Sequence, residues 1–178
     1  MRLFVAINFG FQTIQKLAAL GQELQTQSSL GRFTAPQNLH LTLAFLGEFS
    51  EDKRKKAKAI IEALRFCPFE LAFVQVARFE QQRRRSKPGR PERVYREIWW
   101  AGPAEEPALL KLQADLTDTL LAAGLELEYR PFRPHVTLGR RVATDLLPWM
   151  IEPFGQTVEK IDLMLSEQVA GETRYTVL

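Results

Sequence analysis

The chain has 178 residues, with 24 basic against 21 acidic side chains and a net charge of +3. That length can bury a sizeable core in one domain or two closely fused lobes, and so small a net charge gives no case for nucleic-acid binding from the total alone. A single cysteine, Cys67, excludes an internal disulfide framework and suits a reducing cytoplasm.

With one cysteine and two histidines, no structural metal and no cofactor are expected. Nothing near Met1 to Phe11 resembles a signal sequence, and no apolar run approaches the length of a membrane span.

In chain order, Leu3 to Ile7 reads as a buried strand, with Asn8 as the N-cap of a following helix. Ile14, Leu17, Ala18, Gly21 and Leu24 give that helix one apolar stripe. Ser28 to Gln37 is turn-rich, punctuated by Gly31 and Pro36. Leu39 to Leu46 alternates as a strand that Gly47 ends. Ser50 then caps a helix with acids Glu51 and Asp52 at its start and a buried stripe of Ala57, Ile60, Ile61 and Leu64. The basic run Lys53 to Lys58 reads as its solvated face.

Phe69 to Phe79 and Val94 to Trp100 form a strand pair. Between them, residues 81 to 93 carry Arg83, Arg84, Arg85, Lys87, Arg90 and Arg93, a cationic hairpin tip that reads equally as a disordered, solvated loop or as a contact for an RNA backbone. Pro107 opens a third helix with Leu109, Leu112, Leu116 and Leu120 inward, closed by Gly124. A further strand starts at His135 and is closed by Gly139-Arg140-Arg141. Asp145 to Met150 reads as a short helical turn. Val158 to Ser166 and Thr173 to Leu178 read as a last strand pair joined at Gly171.

The second half thus echoes the first. The expectation is an α+β fold of two pseudo-symmetric lobes, with antiparallel sheets facing a central cleft and helices outside. No linker separates them, so residues 1–178 form one bilobal domain.

Both histidines head the same tetrapeptide: His40-Leu41-Thr42-Leu43 and His135-Val136-Thr137-Leu138, 95 positions apart. Alternate residues of a strand share a face, so each histidine points the way its threonine does, about 7 Å along the strand. Near neutrality one imidazole can be neutral while the other is protonated. A base on one side and an acid on the other suit in-line displacement at phosphorus. Hydroxyl donors Thr42 and Thr137 are placed to meet the charge that grows on the non-bridging oxygens. Arg140 adds a planar fork of donors suited to phosphate. Cys67 has no histidine beside it and reads as a packed thiol.

At these residues the chain resembles the 2H phosphoesterase superfamily, in its branch of RNA 2′,3′-cyclic phosphodiesterases, also called 2′–5′ RNA ligases. The likeness lies in Arg2 to Ile7, Pro36 to Gly47, Pro131 to Arg140 and the closing Ser166, Gly171, Tyr175 and Leu178. It implies a bilobal fold and metal-independent opening of a 2′,3′-cyclic phosphate to a 2′-phosphomonoester, with weak reverse ligation. By position, His40 and His135 are the implied catalytic pair, and Thr42, Thr137 and Arg140 the implied phosphate binders. Phe45 stands where the family offers an aromatic face to a base. Asn8-Phe9-Gly10 and Phe33 depart from the family's frequent proline and tryptophan at the rim.

Two classes of function follow from the residues. One is an enzyme on RNA with a cyclic-phosphate end, on 2′–5′ oligonucleotides or on a small cyclic nucleotide. The other is a non-catalytic RNA-binding module with Arg83, Arg84 and Arg85 supplying affinity. Two titratable groups favour the enzyme. The chain is expected to be monomeric, cytoplasmic and free of the membrane, and near-symmetry hides which histidine is acid and which is base.

Overall fold

The computed structural model describes residues 2–79, 97–127 and 131–178. Its elements run β1 (Arg2–Asn8), α1 (Phe11–Thr26), β2 (Ser28–Phe33), a single 3-10 turn (Pro36–Asn38), β3 (His40–Glu48), α2 (Glu51–Ala63) and β4 (Phe69–Phe79). They continue with β5 (Glu97–Pro103), α3 (Pro107–Ala122), β6 (Val136–Thr144), β7 (Trp149–Val158), β8 (Asp162–Val169) and β9 (Glu172–Val177).

The strands form a four-stranded sheet, β3-β1-β8-β9, and a five-stranded sheet, β2-β6-β5-β4-β7. Every strand pairing is antiparallel. The α+β architecture of two sheets with helices therefore holds, but neither sheet comes from one half of the chain. β3 is an edge strand, whereas β6 is flanked by β2 and β5.

Alternation explains the core. Leu3, Val5 and Ile7 with Leu41 on one sheet, and Phe73, Trp99 and Val136 on the other, are almost fully buried in one apolar cluster with the helix stripes Leu17, Leu24 and Leu109 to Leu120. Helix α1 packs on β2, β6 and β7, α2 on β8 and α3, and α3 on β3 and β4, one strand from each sheet. A smaller cluster of Phe4, Ala6 and Met164, with Tyr175 against it, fills the opposite face of β1.

Five local expectations are corrected. Asn8 is no N-cap: it ends β1 opposite His40, its amide donating to Asp162 Oδ2 at 2.8 Å, and extended Gly10 precedes the helix. Ser28–Phe33 is a strand on β6, not a turn. Its Gly31 admits the Phe33 ring, 2.7 Å from where a Cβ would sit. Gly139-Arg140-Arg141 does not close β6, which runs to Thr144 through Arg141 at φ 55°.

No helical turn spans Asp145 to Met150, because β7 begins at Trp149. Val158 ends that strand rather than opening the next, which starts at Asp162. The glycine and proline in β7 masked it. Pro153 is tolerated on an edge strand, and Gly155 lies so close to β4 that a Cβ there would stand 1.7 Å from the Leu71 carbonyl oxygen.

The basic run of α2 is partly paired within the protein. Arg54 bridges Glu51, and Lys56 donates to the Ala123 carbonyl at the end of α3. Such a cation satisfies a helix C-terminus.

Candidate active site

The two motif histidines are held in the same way. Pro36 starts the 3-10 turn that presents the Asn38 carbonyl, and His40 Nδ1 donates to it at 2.7 Å. Asn38 is itself tied down, its side-chain amide donating to the Thr173 carbonyl at 2.8 Å. His135 Nδ1 donates to the Arg133 carbonyl, also at 2.7 Å. A carbonyl can only accept, so the proton of each neutral ring sits on Nδ1 and Nε2 carries the lone pair. The carbonyl two residues back thus sets the tautomer and frees Nε2 for chemistry. His40 Nε2 accepts from Thr42 Oγ1 at 3.1 Å. His135 Nε2 has no hydrogen-bond partner among the described residues.

Each imidazole also leans on two aromatic rings. His40 packs against Phe4 at 4.8 Å and edge-on to Tyr175 at 5.0 Å between ring centres. His135 packs edge-on to Phe79 at 5.0 Å and to Trp100 at 6.3 Å. Burial pushes both imidazoles below the ordinary value of 6.5, against the pull of the carbonyl bonds in the other direction. The Arg140 guanidinium lowers both, and His135 lowers His40. Strands β3 and β6 approach each other across the two sheets, which puts both motifs in one region of the protein. Arg140 Nη2 reaches Thr137 Oγ1 at 3.5 Å.

The placement of Arg140 depends on a β-bulge. On β6, Thr137 faces Trp100 and Gly139 faces Trp99, which leaves Leu138 as an extra residue. On β3, Thr42 faces Ala6 and Ala44 faces Val5, which leaves Leu43 extra in the same way. The fourth residue of each tetrapeptide is therefore the bulge, and both are buried. One inserted residue reverses the alternation beyond it. Arg140, opposite Ile98, so joins the face of Thr137, and Phe45, opposite Phe4, joins the face of Thr42.

The structure thus brings together His40, Thr42, His135, Thr137 and Arg140, with Phe45 beside them at 6.4 Å from the Phe4 ring. Arg83, Arg84 and Arg85 lie outside the described residues. The aromatic supports Phe4, Tyr175, Phe79 and Trp100 were missed, since only strand register reveals them. A cleft of about 820 Å³, lined by Phe79, Trp100, Phe132 and Arg133, opens next to the His135 ring. No group of three His, Cys, Asp or Glu among the described residues is arranged to hold a metal ion.

Two Nδ1-tethered imidazoles, two hydroxyls and a guanidinium thus lie on the motif strands of the two sheets of an α+β fold. The chain belongs to the 2′-5′ RNA ligase superfamily, whose model matches residues 12–169. It is 30% identical over 175 residues to a protein of Archaeoglobus fulgidus named RNA 2′,3′-cyclic phosphodiesterase, covering 95% of this chain and 92% of that one. A protein of the same name from Escherichia coli K12 is 31% identical over 150 residues, covering 83% and 77%. Among solved structures, E. coli LigT complexed with 3′-AMP superposes with a TM-score of 0.78 at 28% identity, over 99% of this chain and 94% of that one. A protein of Thermus thermophilus gives 0.79 at 26% identity, over 100% and 95%. No helix among the described residues is long and apolar enough to cross a membrane.

Proposed function

We propose that the chain hydrolyses the 2′,3′-cyclic phosphate at an RNA 3′ end to a 2′-phosphomonoester, with His40 and His135 as the acid–base pair. One neutral Nε2 takes a proton from water as the water oxygen bonds to phosphorus. The bond from phosphorus to O3′ breaks in line, and the other imidazolium gives its proton to that oxygen. Thr42, Thr137 and Arg140 donate to the non-bridging oxygens, where charge accumulates. The base of the terminal nucleotide stacks on Phe45. If the 5′-hydroxyl of another RNA takes the place of water, the same steps give a 2′–5′ diester, a slow side activity.

The observation that carries this reading is the matched tether. Two imidazoles with Nδ1 fixed to a carbonyl at the same distance, both under the charge of Arg140, are prepared for proton transfer at Nε2. Relatives named RNA 2′,3′-cyclic phosphodiesterase support the substrate class. The chain works on this reading as one bilobal unit and a monomer, in a reducing cytoplasm where Cys67, which is exposed and not packed as expected, stays a thiol. The test is mass spectrometry of an oligonucleotide ending in a cyclic phosphate after incubation with the protein. A gain of one water is expected, and binding without that gain would leave only an RNA-binding module.

A further inference from the structure

Folding alone does not account for one pair of side chains in this cleft. Strand β2 lies beside β6 with Arg32 directly opposite Arg140. Directly opposed residues share a face, with Cα atoms about 4.5–5.5 Å apart, and like charges so placed destabilise a sheet. The neighbouring positions fix which face. Phe33, opposite Gly139, packs on the core, and a Cβ on Gly139 would meet its ring at 3.1 Å. Arg32, one residue back, is therefore on the side of Arg140, Thr137 and Trp100.

A carboxylate between the two guanidinium groups would remove the repulsion. Among the described residues neither arginine pairs with one. Arg140 bonds only the neutral Thr137 hydroxyl, and exposed Arg32 has no side-chain partner there. Two unneutralised guanidinium groups on the face of His135 fit an anionic ligand better than they fit the free protein. Arg32 also stands one strand farther than Arg140 from the imidazole, so its fork meets an anion displaced from the reacting phosphorus.

We propose that Arg32 holds the phosphodiester preceding the cyclic end, making the site selective for an RNA chain over a cyclic mononucleotide. This rests on the phosphodiesterase reading and names its substrate class. A cyclic mononucleotide ends in a 5′-hydroxyl and has no second anion, whereas a dinucleotide with a cyclic end has one.

The experiment compares kcat/KM on cytidine 2′,3′-cyclic phosphate and on a dinucleotide ending in the same group, for wild type, Arg32→Gln and Arg32→Lys. Arg32→Gln is expected to lose roughly tenfold more on the dinucleotide than on the mononucleotide, mainly through KM. Arg32→Lys restores part of that difference. The salt dependence of kcat/KM on the dinucleotide becomes shallower, because one screened ionic contact has gone. Arg32→Gln melts no lower than wild type, because a like charge has gone. Equal losses on both substrates, no loss on either, or a lower melting temperature would overturn the proposal. Wild-type protein that turns over neither substrate would overturn the phosphodiesterase reading instead.

Discussion

Phe45 and Arg140 occupy matching positions on the two motif strands, each five residues beyond its histidine and each returned to the histidine's face by a bulged leucine. One lobe thus offers an aromatic ring where the other offers a cation, and the pseudo-symmetry of the tetrapeptides ends there. On the proposed reading the difference divides the labour, with nucleobase on one side and phosphate on the other. Phe45→Ala is expected to raise KM about tenfold with kcat little changed, since base stacking on an aromatic is worth about 1–3 kcal/mol. Arg140→Lys keeps the charge, loses the fork and lowers kcat. Steady-state kinetics on a cyclic-phosphate dinucleotide read both, and a fall in kcat alone for Phe45→Ala would contradict the stacking role.

His40→Ala and His135→Ala are each expected to reduce kcat by roughly 10²–10⁴-fold, the usual contribution of a positioned acid or base. Because the two act as a unit, the double variant loses much less than the product of the single losses. Activity is expected to persist in EDTA. Near-wild-type turnover by either single variant would defeat the two-histidine scheme.

The pH dependence has a definite sign. Burial, with Arg140 adding to it, holds both imidazoles below 6.5, so each gives up its proton earlier than a free histidine. The base is ready and the acid is lost within that acidic range. The bell-shaped kcat/KM profile should therefore centre below 6.5, its limbs belonging to the pair. Bound phosphate favours the imidazolium, which moves the alkaline limb of kcat upward. Arg140→Gln removes a charge felt by both rings, so its residual activity peaks at higher pH. A profile that Arg140→Gln leaves unmoved would argue against the shared charge.

Folding stability follows the same protons. Below 6.5 the unfolded histidines take up protons that the folded ones resist, so stability falls as pH drops toward the folded values. A melting series across that window should show the fall, and His40→Gln should make it shallower.

Gly155→Ala tests the fold apart from the site. A Cβ there would overlap the β4 backbone at Leu71, which side-chain motion cannot relieve. The expected cost is on the order of 3 kcal/mol, a melting-temperature drop of about 6–12 °C for a chain of this size. An unchanged melting temperature would mean that the approach of β7 to β4 is looser than described.

The chemical half of the site was legible because it lies in two short, repeated runs. His40, Thr42, His135 and Thr137 need only a strand period of two to share faces. Arg140 was named without the reason it reaches Thr137. Strict alternation would send it to the opposite face, and bulges are a property of paired strands rather than of one segment. Arg32 was passed over because Ser28 to Phe33 contains the residues of a turn, and only β6 alongside makes it a strand. The paired rings were hidden for a similar reason. Phe79 and Tyr175 stand far from the histidines they touch, and register alone joins them.

The sheet under His40 also has a temporal implication. Its β1 and β3 leave the ribosome well before β8 and β9, which bring Tyr175 against the imidazole. Until those late strands dock, His40 lacks the packing that restrains its ring and Asn38 lacks its anchor at Thr173. A growing polypeptide would carry the first histidine in an unfinished cradle until β9 had been made and had docked.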